Sequence, residues 1–430
     1  MADPSAPIRV AVSGAAGGFA GTLLPHLEEQ ADLEVTVLLD RDVDAARRLA
    51  ERHGGPQVLA DPAELDPGRY DVLVEATGHT ATGHRSAASA IAAGRSVVMV
   101  TKETMATTGP ALTRAAAEAG VRLLSADGDQ PANLAALLAW AHARGLRVVA
   151  AGKAAEYDVV LHPDGSVGHD AARVPDPGLA QAWGRGERTV ADVLAARADA
   201  LRGLPLRSAA DVCEMVLASH LTGLPTDTPA LHYPAVRPHE LADVYAATEE
   251  GGIRTAAPVL DVATMLRRED EPSIAGGVFV IARVPDASTA QVLAGKGHVV
   301  SRDGRYLAVI WPHHLMGLET VATIRAAAGR EQEGHHAPRE RTGLPLAAMY
   351  GVAGHDLSAG SRFEVRGHHH EIEGLQGRIS TGPHEDLAPF YLLDGAELRH
   401  DLPAGEPVRL GNIRGIDPDL LAAATKGEGR

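Results

Sequence analysis

Lys102, Lys153 and Glu214 are the residues in this sequence whose types and settings suit proton handling. Lys102 follows the apolar run Ser96–Val100, and a strand end in an open α/β sheet faces the ligand crevice. An ammonium there could polarise a carbonyl or hydrogen-bond a cofactor. Lys153 follows the apolar run Arg147–Gly152, where burial would depress its pKa and suit it to acid–base work or to an anionic substrate group. Glu214 lies among Val212, Met215 and Val216, a setting in which a carboxylate is costly unless paired. Together they could serve ketone reduction, which needs a hydride donor, a proton donor to the developing alkoxide and a fixed substrate. Glu103 could orient Lys102 or be an exposed helix-start acid. Asp127 and Asp129 could hold substrate hydroxyls or simply form the turn around Gly128 and Pro131.

Further along, Lys296, His298, His313, His314 and Glu319 form the densest polar cluster of the second half. Lys296, His314 and Glu319, with Asp129, are the candidate substrate ligands; lysine and histidine near a helix start suit an anionic group. No cysteine or HExxH spacing supports a metal, so none is expected. His368, His369 and His370 beside Glu371 read as an exposed loop. The single cysteine, Cys213, sits in an apolar helical pattern and reads as a buried structural thiol.

A hydride carrier is indicated by Val10–Gly21, a short apolar strand that breaks into Gly14, Gly17, Gly18 and Gly21 before a helix. Glycine permits the tight turn and lets backbone approach a pyrophosphate at a helix N-terminus. A second apolar run, Leu33–Leu39, ends in Asp40, about 20 residues past the last glycine, where a Rossmann unit places its ribose-binding acid. Gly14, Gly17, Gly18, Phe19, Asp40 and Arg41 are thus candidate cofactor residues. Asp40 would pair with the ribose hydroxyls of NAD, and Arg41 could grip the 2′-phosphate of NADP.

The elements that must position these residues alternate. Strands are expected at Ile8–Ser13, Glu34–Asp40, Asp71–Ala76, Ser96–Val100 and Arg122–Ser125. Helices are expected near Thr22–Gln30, Asp44–His53, Ala81–Ala93 and Ala111–Ala119. That alternation predicts a doubly wound parallel sheet of the α/β class. After helix Asn133–Arg144 and strand Arg147–Gly152, residues Ala154–Leu206 look irregular, either a long active-site loop or a surface insertion. A helix at Ala209–Leu221, strands at Ile253–Ala256, Gly277–Val284 and Tyr306–Trp311, and a helix at Leu318–Ala328 suggest an α+β second domain. Arg330–Arg341 has a linker's polarity, and short strands follow.

The chain of 430 residues carries a net charge of −16, without the basic stripe that nucleic-acid binding requires. No apolar run reaches membrane length, and MADPSAPIR lacks a signal peptide's apolar core, so a cytoplasmic protein with no membrane partner is expected.

Asp71–Gly78 (DVLVEATG) followed by Gly94–Lys102 resembles the homoserine dehydrogenase superfamily over the segment up to Ser125. The resemblance implies that the first of these strands lies over the cofactor, adding Thr77 and Gly78 to its site, with Lys102 beside the nicotinamide. Acid-then-arginine pairs occur in phosphate-accepting members of such families, which tips Asp40–Arg41 toward NADP over NAD. No Asn-Tyr-Ile-Leu-type substrate segment follows. Instead Asp127–Pro131, Ala151–Lys153, Val212–Met215, Gly295–Gly297 and Pro312–Glu319 are similar to a divergent branch. It includes the deoxyxylulose-phosphate-reductoisomerase-like enzymes and the D-apionate oxidoisomerases, and it carries a C-terminal SAF domain. Ala353–Gly360 and Leu398–Val408 match that domain here. The implied architecture is a dinucleotide-binding domain over 1–150, a substrate domain over 151–330 and a small β-rich SAF-like domain over 345–412. A core that small is marginal alone, so it should dock against the other domains or another subunit as an assembly or cleft-closing module. The implied activity is an NAD(P)-dependent oxidoreductase, reductoisomerase or oxidoisomerase, acting on a small polyhydroxylated anion and assembled as a homo-oligomer. A plain homoserine dehydrogenase and a non-catalytic nicotinamide-nucleotide sensor are the alternatives.

Overall fold

The computed structural model describes residues 6–175, 178–331, 347–367, 369–380 and 386–425; most of the expected linker and His368 lie outside them. Among the described residues, no helix is long and apolar enough to cross a membrane.

Short apolar runs that are buried on both faces need helices on both sides of their sheet. The first sheet has this form. It contains β1 (Ile8–Ser13), β2 (Leu33–Leu39), β3 (Gln57–Leu59), β4 (Val72–Glu75), β5 (Ser96–Met99) and β6 (Leu123–Ser125). The helices between them are α1 (Gly18–Glu28), α2 (Val43–Arg52), α3 (Thr80–Ala92) and α4 (Lys102–Ala119), with α5 (Gln130–Ala143) after β6. Strand order is β3-β2-β1-β4-β5-β6 with every pairing parallel, the Rossmann arrangement. The order reverses between β1 and β4, so the ligand crevice opens beyond their carboxyl ends. Gly14 follows β1 there at φ +81°, and a Cβ on it would lie 2.3 Å from Ala76 O, so only glycine lets the two strand ends meet.

Two helix starts differ most from expectation. Helix α1 begins at Gly18 rather than Thr22, because Phe19 and Ala20 pack into the sheet's core and offset the poor helix propensity of glycine. Helix α4 begins at Lys102 rather than Ala111 and runs through Pro110, so Lys102 opens a helix instead of closing a strand.

The second sheet is mixed, in the order β10-β9-β8-β12-β7-β13-β15-β14, with β11 (Ala235–Val236) beside β12. Its strands are β7 (Arg147–Ala154), β8 (Val159–Leu161), β9 (Val167–His169), β10 (Ala172–Val174), β12 (Val259–Arg268), β13 (Val278–Arg283), β14 (Val299–Val300) and β15 (Tyr306–Trp311). Strand β12 corrects the strand expected at Ile253–Ala256: the ladder beside β7 starts at Val259 and pairs Val262 with Lys153. The segment expected to be irregular supplies β8–β10 and α6 (Val190–Ala200). Helices α7 (Ala209–Thr222), α8 (Leu241–Val244) and α9 (Ala287–Gly295) complete this layer. Helix α10 (Thr320–Ala327) returns to the first sheet, where Val321, Ile324 and Ala327 join its core.

The C-terminal unit pairs β16 (Ala348–Ala353) with β19 (Leu375–Ser380), β17 (Val365–Arg366) with β18 (Glu371–Ile372), and β20 (Glu397–Leu398) with β21 (Ile413–Arg414); α11 (Pro418–Thr425) follows. Its Met349, Ile379, Phe390 and Tyr391 share one apolar core with Val212, Cys213 and Val216 of α7. The unit is therefore docked through α7, and Cys213 is buried and unpaired among the described residues.

Candidate active site

Gly17 caps α1 without a side-chain hydrogen bond, so the helix's first N–H groups keep no side-chain partner. A Cβ on Gly18 would meet nothing within 4 Å, and one on Gly17 would meet only Gly14 O at 3.2 Å. An open floor beneath an uncapped helix end fits a pyrophosphate. Asp40 follows β2 and accepts from Ala16 N–H (2.8 Å) and Asp42 N–H (2.9 Å). One carboxylate oxygen thus braces the glycine loop and the other the start of α2; Arg41 beside it is exposed. Across the crevice Thr77 is fixed by Glu75, to which it donates through Oγ1 (2.5 Å) and N–H (3.0 Å), and Gly78 N–H donates to Thr101 Oγ1 (3.0 Å). Gly14, Gly17, Gly18, Asp40, Arg41, Thr77 and Gly78 therefore border one crevice, and they fit a dinucleotide; Phe19 is half-buried against the sheet's core instead.

Past the carboxyl ends of β5 and β7 lies a cluster of charges. Glu214 is fully buried on α7 and accepts from Lys102 Nζ through Oε1 and from Lys153 Nζ through Oε2. Lys153, also fully buried, donates to Asp211 Oδ1 at 2.6 Å. Asp211 and Glu214 are three apart on one helix face, which lets both meet the β7 lysine. Lys102 Nζ also lies 3.5 Å from Asp129 Oδ1. Gln130, oriented with its amide nitrogen toward the carboxylates, donates to Glu214 Oε1 (3.2 Å) and to Asp129.

Electrostatics corrects one expectation. Burial alone would lower both lysines, but their carboxylate neighbours outweigh it and raise both. Lys153 is held as a cation and is not the depressed-pKa base that burial suggested. Burial alone would likewise raise Glu214, yet the charges of Lys102 and Lys153 hold it at about 2. Asp129 differs: burial raises it, and Lys102 only partly offsets that. Lys102, Asp129 and His314 form the part of the cluster with some exposure. His314 Nε2 lies 3.8 Å from Asp129 Oδ1, beyond hydrogen-bond reach, and is buried without a hydrogen-bond partner among the described residues. A polar substrate atom between Lys102, Asp129 and His314 would satisfy it.

The other candidates separate. Asp127 ties the first sheet to α10, accepting from Thr323 Oγ1 at 2.7 Å while its N–H donates back at 2.9 Å, so it is structural. Glu319 lies 3.7 Å from His313 and packs against Gly128, at the cluster's margin. Lys296 is not brought in: it caps α9, exposed, beside the edge strand β14, three strands from β7. His298 is exposed on the same edge. His370 corrects the exposed-loop reading. Its Nδ1 bonds Glu103 Oε1 at 2.5 Å, and its ring lies 3.3 Å from where a Gly78 Cβ would sit, so the C-terminal unit reaches the crevice.

Three contributors escaped the sequence reading. Asp211 carried a usable signal, an acid one turn before Glu214 in the same apolar helix. Gln130 and His370 carried none, since Glu214 and Glu103, the partners that bring each into the site, lie far away in sequence.

Residues 16–126 match the family model for the homoserine dehydrogenase NAD binding domain, and residues 207–320 match that for the catalytic domain of oxidoreductase DRL. No curated protein matches the chain in sequence. Among solved structures, GenD2 from gentamicin A biosynthesis, in complex with NAD, is 20% identical over 78% of this chain and 90% of its own, with a TM-score of 0.39. KijD10, a 3-ketoreductase from Actinomadura kijaniata in complex with NADP, is 18% identical over 76% of this chain and 91% of its own, with a TM-score of 0.36. The WlbA dehydrogenase from Bordetella pertussis, in complex with NADH and UDP-GlcNAcA, is 20% identical over 37% of this chain, with a TM-score of 0.28; the match spans 44% of WlbA's length.

Proposed function

We propose, for a chain that is an NAD(P)-dependent oxidoreductase built from these two domains, a small polyhydroxylated anion as substrate, either a sugar phosphate or a sugar acid. The observation that carries this is the buried His314 Nε2, without a hydrogen-bond partner among the described residues and 3.8 Å from the Asp129 carboxylate that Lys102 Nζ approaches to 3.5 Å. When bound, the nicotinamide supplies or accepts the hydride. Lys102, kept charged by Glu214 and Asp129, donates a hydrogen bond to the reacting oxygen and stabilises the developing alkoxide. His314 and Asp129 handle the proton, and Glu319 holds a hydroxyl at the margin. Lys153, Asp211 and Glu214 act as positioning residues: they hold Lys102 in place and stay out of reach of substrate. A reductoisomerase sequence, in which an enediolate or retro-aldol step first creates the carbonyl, is the extended form of this reading. The C-terminal unit is proposed to be an SAF-like module that closes the crevice through His370.

The test is nicotinamide absorbance with a panel of sugar phosphates, sugar acids and homoserine, on the wild type and on Lys102→Met. Turnover with a sugar anion that falls at least a hundredfold in Lys102→Met supports the reading. Turnover of homoserine alone would favour the reading that the first domain's family match suggests. Cofactor binding with no turnover on any compound would mark a sensor.

A further inference from the structure

A cavity of about 580 Å³ lies where the amino end of α7 meets β19 of the C-terminal unit. Arg207, His232 and Tyr233 line one side, and Glu371, Gln376 and Arg378 the other. Neither lysine of the candidate active site lines it, nor do Asp129, Glu214 or His314.

Its charges are unbalanced. The Arg207 guanidinium stacks over the Tyr233 ring at 4.6 Å and donates to Ala230 O at 2.5 Å. Arg378 donates to Gly377 O (2.8 Å) and Gln376 Oε1 (2.7 Å). Neither arginine has a carboxylate partner among the described residues. Burial, followed by the charge of Arg207, pulls Arg378 below the ordinary guanidinium value. The one acid in the lining, Glu371, accepts from Ala209 N–H at 2.6 Å and closes the helix end. Tyr233 is 7% exposed, and its hydroxyl has no hydrogen-bond partner among the described residues. A half-buried guanidinium at Arg378, an exposed one at Arg207 beside it, and an orphaned buried phenol are costly together unless something anionic joins them.

We propose that this cavity binds a phosphate monoester, at a site separate from the nicotinamide crevice. A dianion matches two guanidiniums, whose planar forks grip phosphate oxygens bidentately, and the Tyr233 hydroxyl supplies a neutral donor. A monocarboxylate would leave one positive charge uncompensated. Because none of the charge cluster lines the cavity, the ligand is a small phosphorylated metabolite other than the reduced substrate. Occupancy is transmitted along α7. Ser208 caps that helix by accepting from Asp211 N–H at 3.1 Å, and Asp211 in turn holds Lys153.

Inorganic phosphate titrated calorimetrically into the full chain, with cofactor saturating so that the glycine loop is filled, is the test. The expected result is one site per chain, weakened at least tenfold by Arg378→Gln and by Arg207→Met, severalfold by Tyr233→Phe, and unchanged in Lys102→Met. Acetate at equal concentration should not compete. No binding, equal binding in the arginine variants, loss in Lys102→Met, or acetate binding as tightly as phosphate would each overturn the proposal. Should Arg378→Gln fail to fold, the exposed Arg207 and the conservative Tyr233→Phe test the same cavity.

Discussion

Asp261 accepts from His232 N–H at 2.7 Å and from Tyr245 Oη at 2.9 Å, yet burial pushes its pKa up to about 6. Glu214 is as deeply buried, but two ammonium groups hold it at about 2. The contrast shows what two hydrogen bonds cannot do against desolvation and two full charges can. Asp261 ionises more readily in the unfolded chain than in the fold. Its cost is therefore absent below about pH 4, grows between about 4 and 6, and is complete above. Asp261→Asn should raise stability by on the order of 2 kcal/mol at pH 7.5 and change it little at pH 4. Urea midpoints at the two values check this, and an equal effect at both would refute it. Glu214→Gln should act oppositely, costing about 3–5 kcal/mol at neutral pH because it strips two buried lysines of their shared counter-charge. Cofactor choice is also a residue-scale matter. Arg41 is exposed beside an Asp40 whose oxygens are already engaged, so Arg41→Ala should lower the ratio of NADP to NAD affinity about tenfold. Fluorescence titration with both nucleotides measures that ratio.

Helix ends do most of the positioning. At α1 the absence of a side-chain cap leaves N–H groups for a phosphate, and Gly17→Val would fill that space while meeting only Gly14 O. Nicotinamide binding should be lost with the thermal midpoint nearly unchanged; calorimetry and a melting curve together decide. The Gly14–Gly18 loop was readable in the sequence because glycine spacing reports backbone geometry directly. The loop around His370 was not. His370 adopts φ +50°, an uncommon conformation that the contact with Glu103 helps to hold. Its pKa is raised by the Glu103 hydrogen bond, so the pair stabilises fully below about 6.5, and the contribution fades as pH rises through the elevated value. His370→Ala should therefore cost about 1–3 kcal/mol at pH 6, leaving the buried Glu103 without its partner, and less at pH 9. Guanidinium unfolding at both values is the measurement; a loss that grows with pH would contradict the assignment.

At the scale of the molecule, α7 is the shared axis. One face carries Asp211 and Glu214 to the lysines of two different elements, while Val212, Cys213 and Val216 lie under the C-terminal unit. Burial of side chains such as Phe390, Leu375 and Ile379 is worth about 1.5–3 kcal/mol each. Losing several of them removes an amount comparable to a domain's entire stability, about 5–15 kcal/mol. A chain ending at Arg330 should consequently be insoluble or unable to hold the Lys102–Glu214–Lys153 geometry. A soluble truncated protein with full-length turnover would show that the unit has no part in either.

The residues themselves determined the parallel sheet, the glycine loop with its acid, and the three charged groups Lys102, Lys153 and Glu214. Each of these is encoded by local pattern: apolar runs of strand length, glycines at a turn, charge in apolar surroundings. Lys102's place at a helix start, the elevated pKa of Lys153, the displacement of Lys296 to a far sheet edge and the arrival of His370 depended on tertiary structure alone. Those properties arise from neighbours supplied by distant segments. A carboxylate placed beside a buried lysine reverses the effect of burial, and no spacing along the chain records which carboxylate that will be.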